Sequence, residues 1–210
     1  MWNDHIWYEG SNATKNWTVE GGAMKIWPQR DASGAFFRRT IDTDGKFQQQ
    51  YGYFEMEAKL PVGRGTWPAF WLFAHPGDRR PEIDIMEAYA GGTDNGWGVT
   101  GSDGQPHPNV YGATTWVGDY DGHQAGFKMV SPGIDLSAGF HKYAVKWEAN
   151  KQTFYFDGKE VASYNVSMSD PMYILLDLWF GSASHDPDNS TPQGKANSYI
   201  VNYVRAWQFK

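Results

Sequence analysis

Polar and apolar residues alternate along most of this chain with a period of two. In "YGYFEMEAKLP", Phe54, Met56, Ala58 and Leu60 are interleaved with Glu55, Glu57 and Lys59, the pattern of a strand with one face on a core and the other toward water. "TFYFDGKEVASY" repeats it on both sides of Asp157-Gly158, a dipeptide that suits a tight hairpin because it tolerates positive φ at both central positions. Further strands are expected in "PAFWLFAH", "VYGATTW", "FHKYAVKWE", "MYILLDLWF" and "SYIVNYVRAWQF", separated by turn-forming clusters such as "SDGQPHPN" and "HDPDNSTPQG". No stretch has the period of a clear amphipathic helix, and no internal repeat, linker or low-complexity tract interrupts the chain. Many short strands at this spacing imply an all-β antiparallel sandwich or barrel.

Composition narrows the picture. With 210 residues, of which 40% are hydrophobic, the chain suits a single domain over residues 1–210 with a sizeable core. It has no Cys, which excludes disulfides, thiolate metal sites and a thiol nucleophile. A net charge of −6 with scattered Lys and Arg argues against a nucleic-acid partner, which needs a clustered basic surface. No apolar run reaches the roughly 18 residues that span a bilayer, so no membrane partner is expected. The opening "MWNDHIWYEG" carries no leader pattern, and a secreted protein whose signal peptide has been removed is the expectation. The unusual figure is the aromatic content of 17%, with eleven Trp and twelve Tyr. Core packing is the ordinary fate of large aromatics. Exposed aromatic faces that stack on sugar rings are the second reading.

The candidate chemistry lies in "PEIDIMEA", where Glu82, Asp84 and Glu87 interrupt what otherwise reads as a buried strand. Ionised carboxylates are costly to bury unless paired or hydrogen-bonded. Alternation puts Glu82 and Asp84 on one face and Ile83 and Ile85 on the other, and would send Glu87 inward. One inserted residue, a β-bulge at about Ile85-Met86, returns it to the face of the other two acids. Two glutamates flanking an aspartate then suit a retaining glycosidase, whose nucleophile and acid/base lie about 5 to 5.5 Å apart. Asp84 between them shares a proton or hydrogen bond, because like charges this close do not all ionise at neutral pH. Hard cations also take carboxylate oxygens, but such sites usually draw on loop carbonyls, so no metal and no cofactor is assigned here.

"GTWPAFWLF" followed by "PEIDIMEAYAG" resembles the family 16 glycoside hydrolases, whose signature is E-x-D-x-x-E on a bulged strand of a β-jelly-roll. "YGYFEMEAKLP", "FHKYAVKWEANKQTFYFDGKEV" and "YVRAWQF" fall in the family's order, from about residue 20 to the end. The resemblance implies a jelly-roll sandwich with a concave substrate groove, with Glu82 as nucleophile, Asp84 as assisting acid and Glu87 as general acid/base. The extra Met86 places the chain with the bulged group, which includes laminarinases, agarases, carrageenases and porphyranases. Many relatives bind a structural calcium through an Asp in the final strand. This chain reads Asn202-Tyr203-Val204-Arg205 there, and calcium is not expected.

Groove residues follow from the same comparison. Trp67 and Trp71 lie in the family's sugar-stacking motif and are expected at the cleft if their segment is part loop. Trp179 shares a face with Tyr173, Leu175 and Asp177, opposite the apolar row Met172, Ile174, Leu176 and Leu178. Trp116 and Tyr111 are further candidates from "VYGATTW". Laminarinase-like members often carry a His in this strand; here only His107 stands just before it, as a substitute or as a solvated loop residue. Arg79 and Arg80 precede Glu82, either as a solvated loop or as a fork for an anionic substituent on the substrate. The expected function is endo-acting, retaining hydrolysis of a polysaccharide by a monomer, first a β-1,3 or mixed-linkage glucan, with an acidic bacterial exopolysaccharide or a sulfated algal galactan as the alternative. A noncatalytic lectin-like module on the same fold is the competing class.

Overall fold

The alternating segments form strands, as a computed structural model describing residues 1–9, 13–74, 81–118 and 122–210 shows. In chain order these are β1 (Trp17–Glu20), β2 (Ala23–Ile26), β3 (Arg39–Asp42), β4 (Gly52–Lys59), β5 (Thr66–Ala74), β6 (Glu82–Ala88), β7 (Gly98–Thr100), β8 (Pro106–Pro108), β9 (Tyr111–Val117), β10 (His123–Val130), β11 (His141–Glu148), β12 (Lys151–Phe156), β13 (Lys159–Tyr164), β14 (Met172–Phe180) and β15 (Tyr199–Trp207). A seven-stranded sheet runs β1-β2-β15-β4-β11-β12-β13, and a six-stranded sheet runs β10-β9-β6-β5-β14-β3. Every pairing within them is antiparallel. Of the two architectures that the strand pattern allows, this is the sandwich.

The two sheets meet over one apolar cluster. Phe54, Met56 and Ala58 of β4 and Val145 and Trp147 of β11 pack with Phe70 and Leu72 of β5, Ile83 of β6 and Leu176 of β14, all but fully buried. Burying a side chain of this size contributes about 1.5–3 kcal/mol, so the sandwich is held chiefly by this layer. The hairpin at Asp157-Gly158 forms as expected, with φ of 46° and 79°. Strand β10 carries no clear alternation because it is the edge of its sheet: Phe127 and Met129 remain exposed and only Val130 is buried. Strands β1, β2 and β3 are four residues each, too short for a period to register.

Register explains the placement of the acids. Between β5 and β6 the pairing passes from Phe70↔Met86 to Trp71↔Asp84, and between β6 and β9 from Asp84↔Thr114 to Glu87↔Gly112. One residue of β6 is therefore unmatched on each side, a bulge at Ile85-Met86. Ile83, Ile85 and Met86 all point into the core, and Glu82, Asp84 and Glu87 all line a cleft on the opposite face.

Candidate active site

The cleft, about 570 Å³ in volume, is lined by the three acids, by Trp67, Ala69, Trp71 and Phe73 of β5, by Trp116 of β9, by Asp177 and Trp179 of β14, and by Tyr8 and Tyr89. Residues 67, 69, 71 and 73 share a face because β5 is an unbroken strand. No loop character is needed to bring Trp67 and Trp71 together, contrary to the expectation from sequence. In the paired register Glu87 stands between Ala69 and Gly112. A side chain at Gly112 would meet the rings of Trp97 and Phe127 at 3.4 Å.

Each cleft tryptophan spends its indole N–H on the acid network. Trp116 Nε1 donates to Asp84 Oδ2 (2.9 Å), Trp67 Nε1 to Glu87 Oε1 (3.1 Å), Trp71 Nε1 to Asp177 Oδ2 (3.0 Å), and Trp179 Nε1 to Thr40 Oγ1 (3.0 Å). Thr40 in turn bonds Asp177. The Tyr89 hydroxyl adds a second donor to Glu87 Oε1, at 3.0 Å. Ring contacts tie the set together: Trp67 stacks on Tyr89 with centroids 5.3 Å apart and meets Trp179 edge-on at 5.5 Å. The rings are thereby fixed, and a fixed aromatic wall loses little entropy when a ligand docks on it.

Electrostatics divide the carboxyls by environment. Burial pushes Asp84 well above the usual carboxylate range; repulsion from Glu82 and Glu87 adds to this, and the Trp116 bond opposes it. Asp84 also hydrogen-bonds Glu82, so a proton held on Asp84 serves the neighbouring glutamate. Asp177 is raised as well, chiefly by burial, with Thr40 and Trp71 opposing and Glu87 adding to the rise. Its Oδ1 has no hydrogen-bond partner among the described residues. Tyr89 is raised far above the range in which it could ionise, by burial and then by Glu87, so it acts as a donor only.

Several residues fall elsewhere than expected. Tyr111 is buried in the core, 1% exposed, edge-on to Tyr143 at 5.2 Å; it stands five residues from Trp116, and an odd spacing on a strand without a bulge puts the two on opposite faces. It does not line the cleft. His107 does not either: its ring is clamped by Asp135 (2.7 Å) and Asp103 (3.0 Å), which hold its pKa above the usual value although burial opposes them. Arg79 and Arg80 lie outside the described residues. Asn202 donates to Glu57 Oε1 at 2.9 Å on the outer sheet. Among the described residues no group of three or more His, Asp or Glu side chains is arranged to hold a metal ion.

Five lining residues were not singled out from the sequence, the small Ala69 of β5 among them. Tyr89 lies two residues beyond Glu87 and Phe73 two beyond Trp71, so alternation alone could have found both. Asp177 was visible on the face of Trp179 and passed over. Tyr8 had no signal. It comes from an N-terminal segment held by Arg39, 1% exposed, whose guanidinium donates to Asn16 Oδ1 (2.8 Å), Thr14 O (2.8 Å) and Asp4 O (2.5 Å).

The comparisons with known proteins agree with this geometry. Residues 5–205 match the family described as glycosyl hydrolases family 16, and the chain belongs to that family. Two curated relatives from Rhizobium meliloti (strain 1021) are the endo-1,3-1,4-beta-glycanases EglC, 34% identical, and ExsH, 28% identical, each aligned over 99% of this chain and 43% of its own length. The chain thus spans less than half of those two proteins. The catalytic domain of an endo-1,3-beta-glucanase (laminarinase) from Thermotoga petrophila RKU-1 superposes with a TM-score of 0.72 at 23% identity, covering 100% of this chain and 91% of that one. The fold is the antiparallel β-jelly-roll of such laminarinases.

Proposed function

We propose that residues 1–210 form one catalytic domain of a secreted, monomeric endo-β-glycanase that cleaves internal bonds of a polysaccharide with retention of configuration. The observation that carries this reading is the bulge that turns Glu82, Asp84 and Glu87 onto one face of an aromatic cleft. A binding module gains nothing from burying a carboxyl between two others, whereas a double displacement needs both a nucleophile and an acid/base. The structural neighbour named an endo-1,3-beta-glucanase, with the 1,3-1,4-beta linkages in the names of the two glycanases, favours a β-1,3 or mixed-linkage glucan as substrate.

In the first step Glu82 attacks the anomeric carbon while Glu87 gives its proton to the departing glycosidic oxygen. The products are a glycosyl ester on Glu82 and a free chain end. In the second step Glu87, now a carboxylate, takes a proton from water as that water attacks the same carbon, which releases Glu82 and restores the β-configuration. Asp84 hydrogen-bonds Glu82 and moderates its charge as the ester forms and breaks. Trp67, Trp71, Trp116 and Trp179 wall the sugar path, with Trp67 also aiming Glu87 and Trp116 also holding Asp84.

The test is product analysis on a panel of laminarin, lichenan, agarose, carrageenan, porphyran and acidic bacterial exopolysaccharides. Mixed-length oligosaccharides from laminarin or lichenan, with the β-anomer appearing first in the NMR spectrum, are expected. First-formed α-product, or binding without any cleavage across the panel, overturns the reading. Cleavage restricted to an exopolysaccharide or a galactan moves the substrate and leaves the reaction in place.

A further inference from the structure

The chain folds back on itself beside Glu87. Segment 89–92 passes against the turn at 181–185 so closely that a Cβ on Gly91 would stand 2.1 Å from Ser184 O, and one on Gly92 would stand 2.4 Å from Ala183 O. Only glycine fits at either position. The turn itself holds two non-glycine residues in the left-handed region, Ser182 at φ 53° and His185 at φ 60°. Such conformations cost of order 1–3 kcal/mol each and persist where the surroundings enforce them, often at functional sites. Here the enforcement is explicit: Gly91 N donates to Ser184 Oγ (2.8 Å), Gly65 N to Ser184 O (2.9 Å), Gly181 N to Gly65 O (3.0 Å), and His185 Nε2 meets Asp94 Oδ1 at 2.6 Å.

The strained conformation brings Ser182 to the Tyr89 hydroxyl. A tyrosine hydroxyl has one proton, and Tyr89 uses it on Glu87 Oε1 at 3.0 Å, so the neighbouring Ser182 hydroxyl can act on Tyr89 only as a donor. The ring of Tyr89 is clamped between Trp67 at 5.3 Å and Trp97 at 4.7 Å, so the hydroxyl cannot swing away. With Trp67 Nε1 as the second donor, Glu87 Oε1 receives two hydrogen bonds, and the proton that Glu87 transfers is carried on Oε2.

The geometry points to Tyr89 as a positioning residue for the acid/base: the Ser182–Tyr89–Glu87 relay fixes which oxygen of Glu87 works and favours its charged form between the two steps. This inference rests on the reading of Glu87 as acid/base. Among the described residues, the carboxyl groups that line the cleft with Glu87 are Glu82 and Asp84 on β6 and Asp177 on β14; β5 brings the Trp67 N–H to it, and β9 pairs Gly112 beside it. All of these stay in place when the Tyr89 hydroxyl is removed.

The experiment compares wild type, Tyr89→Phe, Ser182→Ala and Glu87→Ala on the cleaved glycan and on an aryl glycoside with a good leaving group. Tyr89→Phe should lower kcat on the glycan about tenfold, the worth of one charge-assisted hydrogen bond, with KM within about twofold. Cleavage of the aryl bond, which needs little acid help, should be nearly unchanged in a pre-steady-state burst. A donor to a carboxylate favours the ionised form, so its loss should move the alkaline limb of kcat/KM to higher pH. Ser182→Ala should shift the same quantities in the same direction by less, and it carries the test if Tyr89→Phe does not fold. Unchanged kcat and pH profile in the tyrosine variant, or a raised KM at constant kcat, overturns the positioning role. If Glu87→Ala keeps wild-type activity on the glycan, the acid/base reading itself fails, and the role of Tyr89 with it.

Discussion

The two faces of the six-stranded sheet bury their central residues by opposite means. On the inner face Phe70, Leu72 and Ile83 are fully buried within the apolar cluster. On the cleft face Asp84 and Asp177 are each only 3% exposed, yet they are carboxyls. Dispersion and the hydrophobic effect hold the first face. On the second, three of the four acids are bound by an indole: Trp116 on Asp84, Trp71 on Asp177 and Trp67 on Glu87. The tryptophans thus serve the carboxyls as well as forming the cleft wall. An indole covers a carboxyl with apolar surface and supplies it with a hydrogen-bond donor.

The sharpest way to break the comparison is to remove the acids themselves. Glu82→Ala, at the proposed nucleophile, should abolish turnover of both a glycan and an activated aryl glycoside. Glu87→Ala should lose about 10²–10⁴-fold on the glycan yet still form the glycosyl-enzyme from the aryl substrate, with azide rescuing its release as a β-product. Equal loss on the aryl substrate in both variants would refute the division of roles. The folded stability of both proteins, read by thermal melting, should stay close to that of wild type.

On the inner face the effect moves from activity to stability. Phe70→Ala should cost about 3–5 kcal/mol in urea unfolding, with normal turnover per folded molecule. Phe73→Ala, three residues along β5 and half-exposed at the cleft, should cost clearly less stability and more substrate affinity. If the two variants behave alike, the faces are not energetically distinct.

A smaller effect is expected where one indole donor is lost and its ring kept. Trp116→Phe removes the bond to Asp84 and should cost about 1–3 kcal/mol, the penalty for leaving a buried acceptor unsatisfied, together with a loss of activity. No change in either would mean that Asp84 finds another donor.

The smallest effect is a pH dependence. Asp177 has its folded pKa raised above the ordinary 3.8, first by burial. A raised folded pKa means that folding takes up a proton once the pH exceeds the unfolded value, so the contribution is fully present below 3.8 and is lost as pH climbs toward the folded value. Asp177→Asn cannot ionise. The urea midpoint of the variant should therefore gain on that of wild type as the pH rises above about 4, levelling off once the folded carboxyl ionises; a constant offset would show that the folded pKa of Asp177 is not raised.

Much of the site was legible because a strand has so short a period. The spacing of Glu82, Asp84 and Glu87 broke alternation once, and a single bulge was the only local repair that kept Ile83 and Ile85 in the core. The face of Trp179 followed from the same rule applied to β14. Tyr111 is a cleft candidate from sequence only as an aromatic of the strand that carries Trp116, and counting the odd spacing between the two keeps it in the core. Tyr89 and Phe73 were equally countable and went unnoticed because aromatic residues beside a core strand read as packing. No rule of this kind could have found Tyr8, since it reaches the cleft from an irregular segment that follows no period.

By itself, then, the order of residues determined every feature that depends on neighbours along one strand: which side chains share a face, where the extra residue falls, and where the hairpin at Asp157-Gly158 turns. Tertiary structure alone decided which strands lie side by side and which distant groups meet across them. Asp177 receives Trp71 from 106 residues away, Asp84 receives Trp116 from 32 away, and Arg39 gathers the N-terminal segment that carries Tyr8. The reason is physical. Alternation is set by the local geometry of the backbone, and every strand of the sheet obeys it alike. Sheet order and the partners of buried polar groups are set by the packing of the whole core, in which many strands compete for each position.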